Sequence, residues 1–283
     1  MASKDSNSFS DLDLSKWKSY EDILMGSLWL LGPRDKSGPH QGDYWGNFVP
    51  QIPQQILQRF TKRGEVVVDL FSGMGTTLIE CRRLGRHGIG VELNPDVARQ
   101  SEARIEQAEN PLDITTTVLV ADATTEEARD MVRAELGRLA KSRERAGEGT
   151  DQGHCDCVIM HPPYHNVIKF SDNPADLCNS DDIDHFLLRF ERAVINAHEL
   201  VRGGRFMALV IGDIYAKSEW VPLGFECMEV CRRAGFRLKA INVKDIQGNE
   251  RGKGKSENLW KYRALKQGFY IFKHEYVMVF QKR

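Results

Sequence analysis

Val66-Val67-Val68-Asp69-Leu70-Phe71-Ser72-Gly73-Met74-Gly75-Thr76-Thr77 is the stretch that decides the fold. Three β-branched residues in a row suit a strand buried on both faces, and a carboxylate closes it. Gly73 and Gly75 follow at alternate positions, and a helix opens at Thr76 and Thr77, so the unit is strand, tight turn, helix. Glycines in such a turn let the backbone come close to a bound molecule that a Cβ would hold off. No Lys-Ser/Thr pair follows them, so the loop is not a phosphate cradle. Asp69 stands where a pyrophosphate would have to approach, and its charge would repel one. A ligand carrying a positive ammonium group fits this loop better.

Outward from this unit the chain alternates regularly. Strands are expected at Glu65–Leu70, Gly88–Leu93, Thr116–Ala121, Cys155–Met160 and Arg205–Ile211. Helices fall between them at Thr76–Leu84, Pro95–Ala108, Glu126–Arg145 and Asp182–Leu200, with Gly203-Gly204 as the turn into the fifth strand. A further helix, Val221–Ala234, stops at Gly235, and Arg237–Val243 and Glu275–Gln281 read as a closing antiparallel pair. The expected fold class is therefore α/β, a Rossmann-like, mostly parallel sheet of seven strands with an antiparallel last strand. Before the first strand, Gln54–Thr61 reads as a helix led in by prolines, and Trp17 to Leu31 as a short helix against the core. Residues 1–43 are expected to form an N-terminal extension, and residues 44–283 the main domain with a loop insert at about 244–268.

At 283 residues, 41% hydrophobic and 28% charged, the chain is long enough for one large domain with a full core. A net charge of −1 gives no global nucleic-acid signal, so a basic surface has to be local. Six scattered cysteines, most of them inside apolar runs, match no zinc spacing and read as reduced, buried thiols. The polar N-terminus lacks the core of a signal peptide, and no apolar run is long enough to span a bilayer. The expectation is a soluble, cytoplasmic chain with no membrane partner and no metal site.

Four groups line up at the carboxyl ends of strands, where open α/β sheets bind ligands. Asp69 and the Gly73/Gly75 loop close the first. Glu92 closes the second, about twenty residues on, where an acid accepts hydrogen bonds from both hydroxyls of a ribose. Asp122, beside Ala123, ends the third, within reach of an adenine amino group, although capping the next helix is an equally simple job for it. The fourth is His161-Pro162-Pro163-Tyr164, after Cys155–Met160.

X-Pro-Pro-Tyr in that place resembles the catalytic motif of exocyclic-amino DNA methyltransferases, the adenine-N6 and cytosine-N4 group. Asp69-x-Phe71-x-Gly73-x-Gly75-Thr76-Thr77 is similar to their cofactor loop, and Gly46-Asn47-Phe48-x-Pro50-x-x-Pro53 to the segment packed over the methionine end of the cofactor. The resemblance covers roughly residues 44–215. It implies S-adenosylmethionine as cofactor, held by Asn47, Phe48, Pro50, Asp69, Phe71, Ser72, Gly73, Gly75, Thr76, Thr77, Glu92, Leu93, Asp122 and Ala123. It implies His161, Pro162, Pro163 and Tyr164 as the catalytic set, and double-stranded DNA as substrate. A cognate restriction endonuclease or a second copy of the chain is the partner it allows for.

The chemistry of the motif follows from its residues. An amino group on an aromatic base is planar, with its lone pair drawn into the ring. Hydrogen bonds from its N–H groups to fixed acceptors free that pair to attack a sulfonium methyl. Two prolines hold the backbone extended, so the Pro162 carbonyl is such an acceptor, while Tyr164 offers a face on which an extruded base stacks. The family carries Asp, Asn or Ser where this chain has His161. A neutral histidine accepts through one ring nitrogen and an imidazolium cannot, so activity is expected to fall as pH drops through the His161 pKa.

DNA contacts are expected from Lys169 and from the segment Lys244–Lys266, where Arg251, Lys253 and Lys255 alternate with glycines and lead to Trp260 and Tyr262. Two other readings stay open: a methyltransferase acting on RNA guanine-N2 or on protein glutamine, and a non-catalytic nucleic-acid-binding subunit on the same fold.

Overall fold

Val66–Val68 alternate between two cores, as side chains of period two must in a sheet covered on both faces. They belong to β2 (Val66–Asp69), after a two-residue strand β1 (Leu28–Trp29) and helix α1 (Gln51–Phe60). The computed structural model describes residues 9–145, 153–217, 219–246 and 257–283. From β2 the chain runs through α2 (Thr76–Leu84), β3 (His87–Glu92), α3 (Pro95–Glu106), β4 (Thr116–Val120), α4 (Glu126–Arg145), β5 (Cys155–Met160) and α5 (Ile183–Leu200). Then come β6 (Val201–Ile211), a hairpin of β7 (Ile214–Ala216) and β8 (Glu219–Val221), and α6 (Leu223–Arg233). The chain closes with β9 (Phe236–Asp245), α7 (Glu257–Gln267) and β10 (His274–Lys282).

The main sheet has the order β1-β9-β10-β6-β5-β2-β3-β4, with β10 antiparallel to both its neighbours and every other pair parallel. On one face Val66, Val68, Val158, Met160 and Leu209 pack against Phe186, Phe190 and Val194 of α5 and Val230 of α6. On the other, Val67, Ile159, Ala208 and Val277 meet Ile52, Ile56 and Leu57 of α1, with Trp29 and Phe48. The chain leaves β2 toward β3 and β4 on one side and returns on the other through β5 and β6. The carboxyl ends of β2 and β5 therefore flank the switch point of the sheet, where such folds leave a crevice. Asp69 is level with Ile159 in the register, two residues before His161.

The α/β class and the antiparallel last strand are as the sequence predicts, but the sheet has eight strands rather than seven. The extra one is β1, inside the stretch read as a helix. Trp29 is 2% exposed while Leu28 and Leu30 are 59% and 65% exposed. That alternation is the period of a strand, and helix is confined to the 3-10 segment Leu14–Ser19, kinked at Lys16 and capped by Asp13. Gly203 and Gly204 do not form a turn before β6. They lie within it, as a register shift opposite β5, with Gly204 at φ +77. The segment read as a loop insert contains α7, and the β7–β8 hairpin was not expected. All six cysteines are free and buried. Among the described residues no helix is long and apolar enough to cross a membrane.

Candidate active site

The turn after β2 is held shut by its own acid. Asp69 is 1% exposed; its Oδ1 accepts from the Phe71 N–H at 3.0 Å and its Oδ2 from the Thr77 hydroxyl at 2.5 Å. Burial raises the Asp69 pKa to about 6, against the pull of those two hydrogen bonds. Gly75, at φ +78, is the left-handed residue that starts α2, and its missing Cβ leaves room for Ile105, 2.7 Å from where a Cβ would stand. Glu92 at the end of β3 receives the Gly73 N–H on one oxygen at 3.0 Å and the Asn94 N–H on the other at 2.8 Å. Burial raises its pKa as well. Each oxygen of Glu92 can accept a further hydrogen bond. Asp122 accepts from the backbone and hydroxyl of Thr124 at 2.9 and 2.8 Å, so a local turn is part of its job. Ala123 and Ser72 are buried, and Leu93 is half-buried.

The segment before α1 joins this loop to the next motif. The Thr76 hydroxyl donates to Asn47 Oδ1 at 2.6 Å, and Arg34 donates to the Asn47 carbonyl. Phe48, 8% exposed, meets the His161 ring edge-on at 4.9 Å between centroids. Asn47, Phe48, Asp69–Thr77, Glu92 and His161 are thus brought together. Tyr44, which the sequence reading missed, packs against Phe170 with centroids 6.2 Å apart. Its hydroxyl pKa is raised to about 12 by burial and by the charges of Glu92 and Asp176. Phe170 lies over Gly46, where a Cβ would sit 2.7 Å from the end of its ring. Gly46 also has φ +79. Gly46→Ala is expected to cost about 1–2 kcal/mol from the left-handed conformation alone, measured by denaturant unfolding.

At the end of β5, Pro162 is buried and His161 and Tyr164 are half-buried. His161 Nε2 is 3.2 Å from the Tyr164 hydroxyl, which donates to Glu275 Oε2 at 2.9 Å. Glu275 Oε1 in turn pairs with Lys244 Nζ at 3.0 Å. Glu275 and Lys244 face each other across β10 and β9. Burial lowers the His161 pKa to about 4, more than Glu275 raises it. The fall in activity expected from His161 protonation is therefore moved well below neutral pH. The Glu275 carboxyl is held below its ordinary range: Lys244 and His161 outweigh the largest single influence, burial, which acts the other way.

The expected DNA contacts are less well represented. Lys169 is exposed and pairs with Asp172, the ordinary behaviour of a surface lysine. Arg251, Lys253 and Lys255 lie outside the described residues, and Trp260 lies on α7. Tyr262, also on α7, is 67% exposed.

The donor set suits S-adenosylmethionine. Carboxylates at successive strand ends repel phosphate but match an ammonium, a sulfonium and a ribose, and Tyr44 and Phe48 supply apolar walls. Residues 4–103 match the family model described as DNA methylase. That span contains Asn47, the Asp69–Thr77 loop and Glu92, and the motif at 161–164 lies beyond it. The type II methyltransferase M.MjaII of Methanocaldococcus jannaschii is 29% identical over 109 residues, 36% of this chain and 21% of that protein. M2.DpnII of Streptococcus pneumoniae, another type II methyltransferase, is 31% identical over 103 residues, 35% of this chain and 34% of that one. The matched part spans about a fifth to a third of these relatives' length. Among solved structures, the cyclase SpnF superposes with a TM-score of 0.51 over 91% of this chain and 89% of its own, at 11% identity, a likeness of fold alone.

Proposed function

We propose that this chain, grouped with the exocyclic-amino DNA methyltransferases by its matched segment, methylates the exocyclic amino group of adenine (N6) or cytosine (N4) in DNA. One observation carries the reading: the cofactor loop and the Pro-Pro-Tyr turn end on adjacent parallel strands, joined by the Phe48–His161 contact. S-adenosylmethionine, when bound, supplies a methyl group on a sulfonium. Glu92 would hold its ribose and Asp69 would balance its positive end. The Pro162 carbonyl and a ring nitrogen of His161 would accept the two N–H groups of the target amine, turning its lone pair outward. Tyr164 would stack on the extruded base. These groups are positioned before the substrate arrives, so most of the rate gain would come from orientation.

Because burial leaves Asp69 neutral below about pH 6, donor affinity should depend on pH in a definite direction. Below that value the site lacks its charge, and above it the carboxylate attracts the cation. Affinity is expected to rise roughly tenfold per pH unit at most on the acid side of pH 6 and to level off above it, as measured by calorimetry. The stability of the ligand-free chain should show the opposite sign. The folded pKa lies above the unfolded one, so this group's contribution is present at low pH and is lost as pH rises through 6.

The test of the function is direct. The chain is incubated with methyl-labelled donor and DNA of mixed sequence, and the DNA is digested to nucleosides. Label in N6-methyldeoxyadenosine or N4-methyldeoxycytidine is the expected result and also names the base. No label in the DNA would overturn the proposal, and so would label that enters RNA or protein offered in parallel but not DNA.

A further inference from the structure

The ion pair Lys244–Glu275 is not used by the chemistry above, yet it abuts it. Lys244 is 3% exposed at its side chain and Glu275 15%, on β9 and β10, the last two strands of the chain. A charged pair this deep needs strong mutual support, because both charges have given up water. The pair also reaches outward. Gly212, just past the end of β6, leaves the gap through which the link passes. A Cβ there would stand 3.0 Å from the Tyr164 ring and 3.7 Å from the Glu275 side chain.

The directions of the hydrogen bonds follow by elimination. With Lys244 donating to it, Glu275 is a carboxylate that only accepts. The single proton of the Tyr164 hydroxyl is therefore committed to Glu275, at 2.9 Å. The tyrosine oxygen can then only accept from His161, so the proton of a neutral imidazole sits on Nε2. The other tautomer would set a bare Nε2 against the lone pairs of the tyrosine oxygen. Among the described residues His161 Nδ1 makes no hydrogen bond.

We infer that Glu275 and Lys244 are positioning residues: through the Tyr164 hydroxyl they hold His161 with its proton on Nε2 and a bare acceptor at Nδ1. A short oxygen-bearing side chain at position 161 would present an acceptor in any protonation state that matters. A histidine does so only when its tautomer is chosen, and the Lys244–Glu275–Tyr164 chain makes that choice. The catalytic consequence rests on the amine-methylation reading above, whereas the tautomer itself does not.

Nitrogen NMR of the full chain, isotope-labelled at the histidine ring nitrogens, reads the tautomer without any assay of activity. The His161 signals are assigned by their loss in His161→Asn. The wild type should show a protonated Nε2 and a bare Nδ1, while Glu275→Gln and Tyr164→Phe should show a mixture of tautomers. In the same variants kcat for methyl transfer should fall about 10-fold or more, with KM for the donor unchanged, since a misplaced acceptor affects the transition state and not donor binding. If Glu275→Gln fails to fold because Lys244 is stranded, the double variant Glu275→Leu/Lys244→Met removes both charges and the acceptor of the Tyr164 proton and is read in its place. A wild-type proton on Nδ1 would overturn the inference. So would a tautomer unmoved in the variants, or a scrambled tautomer with kcat intact. A chain that holds the tautomer yet methylates no DNA would instead sink the amine-methylation reading and leave the tautomer assignment standing.

Discussion

Tyr164→Ala is expected to lower methyl transfer into DNA by about two orders of magnitude or more while leaving donor affinity within about twofold. Two losses combine. Stacking of an extruded base on an aromatic ring contributes roughly 1–3 kcal/mol, which alone is about 5-fold to 150-fold in rate if it is expressed in the transition state. Removing the hydroxyl also strips His161 of its partner at 3.2 Å and Glu275 of its donor at 2.9 Å. Donor affinity should survive, because the groups that would hold the cofactor, Asp69 and Glu92, are fixed by Phe71, Thr77, Gly73 and Asn94 and not by Tyr164. Single-turnover rates with saturating donor measure the effect. Tyr164→Phe separates the two losses by restoring the ring without the oxygen. A rate within a few fold of wild type in Tyr164→Ala would place the base somewhere else.

The second large effect is expected at Asp69. In Asp69→Ala the Thr77 hydroxyl, wholly buried, and the Phe71 N–H both lose their acceptor. An unsatisfied buried donor costs about 1–3 kcal/mol, so stability should drop by roughly 2–6 kcal/mol for the pair. Donor binding should fall by about 100-fold or more, from the lost charge and from the loosened turn together. Asp69→Asn removes the charge but keeps an acceptor for one of these two donors. It should therefore retain most of the stability and still bind the cationic donor poorly. Denaturant unfolding and calorimetry, run on both variants, distinguish the scaffold role of this carboxylate from its electrostatic one.

Residues whose meaning is local were readable from the chain itself. Val66–Val68 announced a strand covered on both sides because three β-branched residues leave little alternative. Asp69, Glu92 and His161 lay at strand ends because each follows an apolar run. Parallel crossovers then bring those ends to one edge of the sheet. What escaped depends on pairing at a distance. Lys244 and Glu275 are register partners thirty-one residues apart, and neither has a motif around it. The one available signal was a charge of each sign at the inner end of an apolar strand, where burial requires a partner. Leu28–Trp29 was misread because Trp17 to Leu31 is rich enough in apolar residues to suggest a helix, while the decisive alternation spans only Leu28, Trp29 and Leu30. Tyr44 and Phe170 meet only after the loop beyond β5 has folded back over Gly46, a contact that no spacing encodes. Asp122 shows a different outcome: it accepts from Thr124 in a turn before α4, while the helix is capped by Thr125, whose hydroxyl oxygen accepts from the Ala128 N–H at 3.2 Å.

At the centre of the account is a cationic methyl donor seated against the acid of β2, beside an amine clamp that does not itself hold the donor. Calorimetric titration of S-adenosylmethionine into the wild type, Tyr164→Ala and Asp69→Ala tests this most directly. The account predicts saturable uptake by the wild type, the same uptake by Tyr164→Ala, and little or none by Asp69→Ala. Wild-type protein that takes up no donor, or Asp69→Ala that takes it up as well as the wild type, would contradict it.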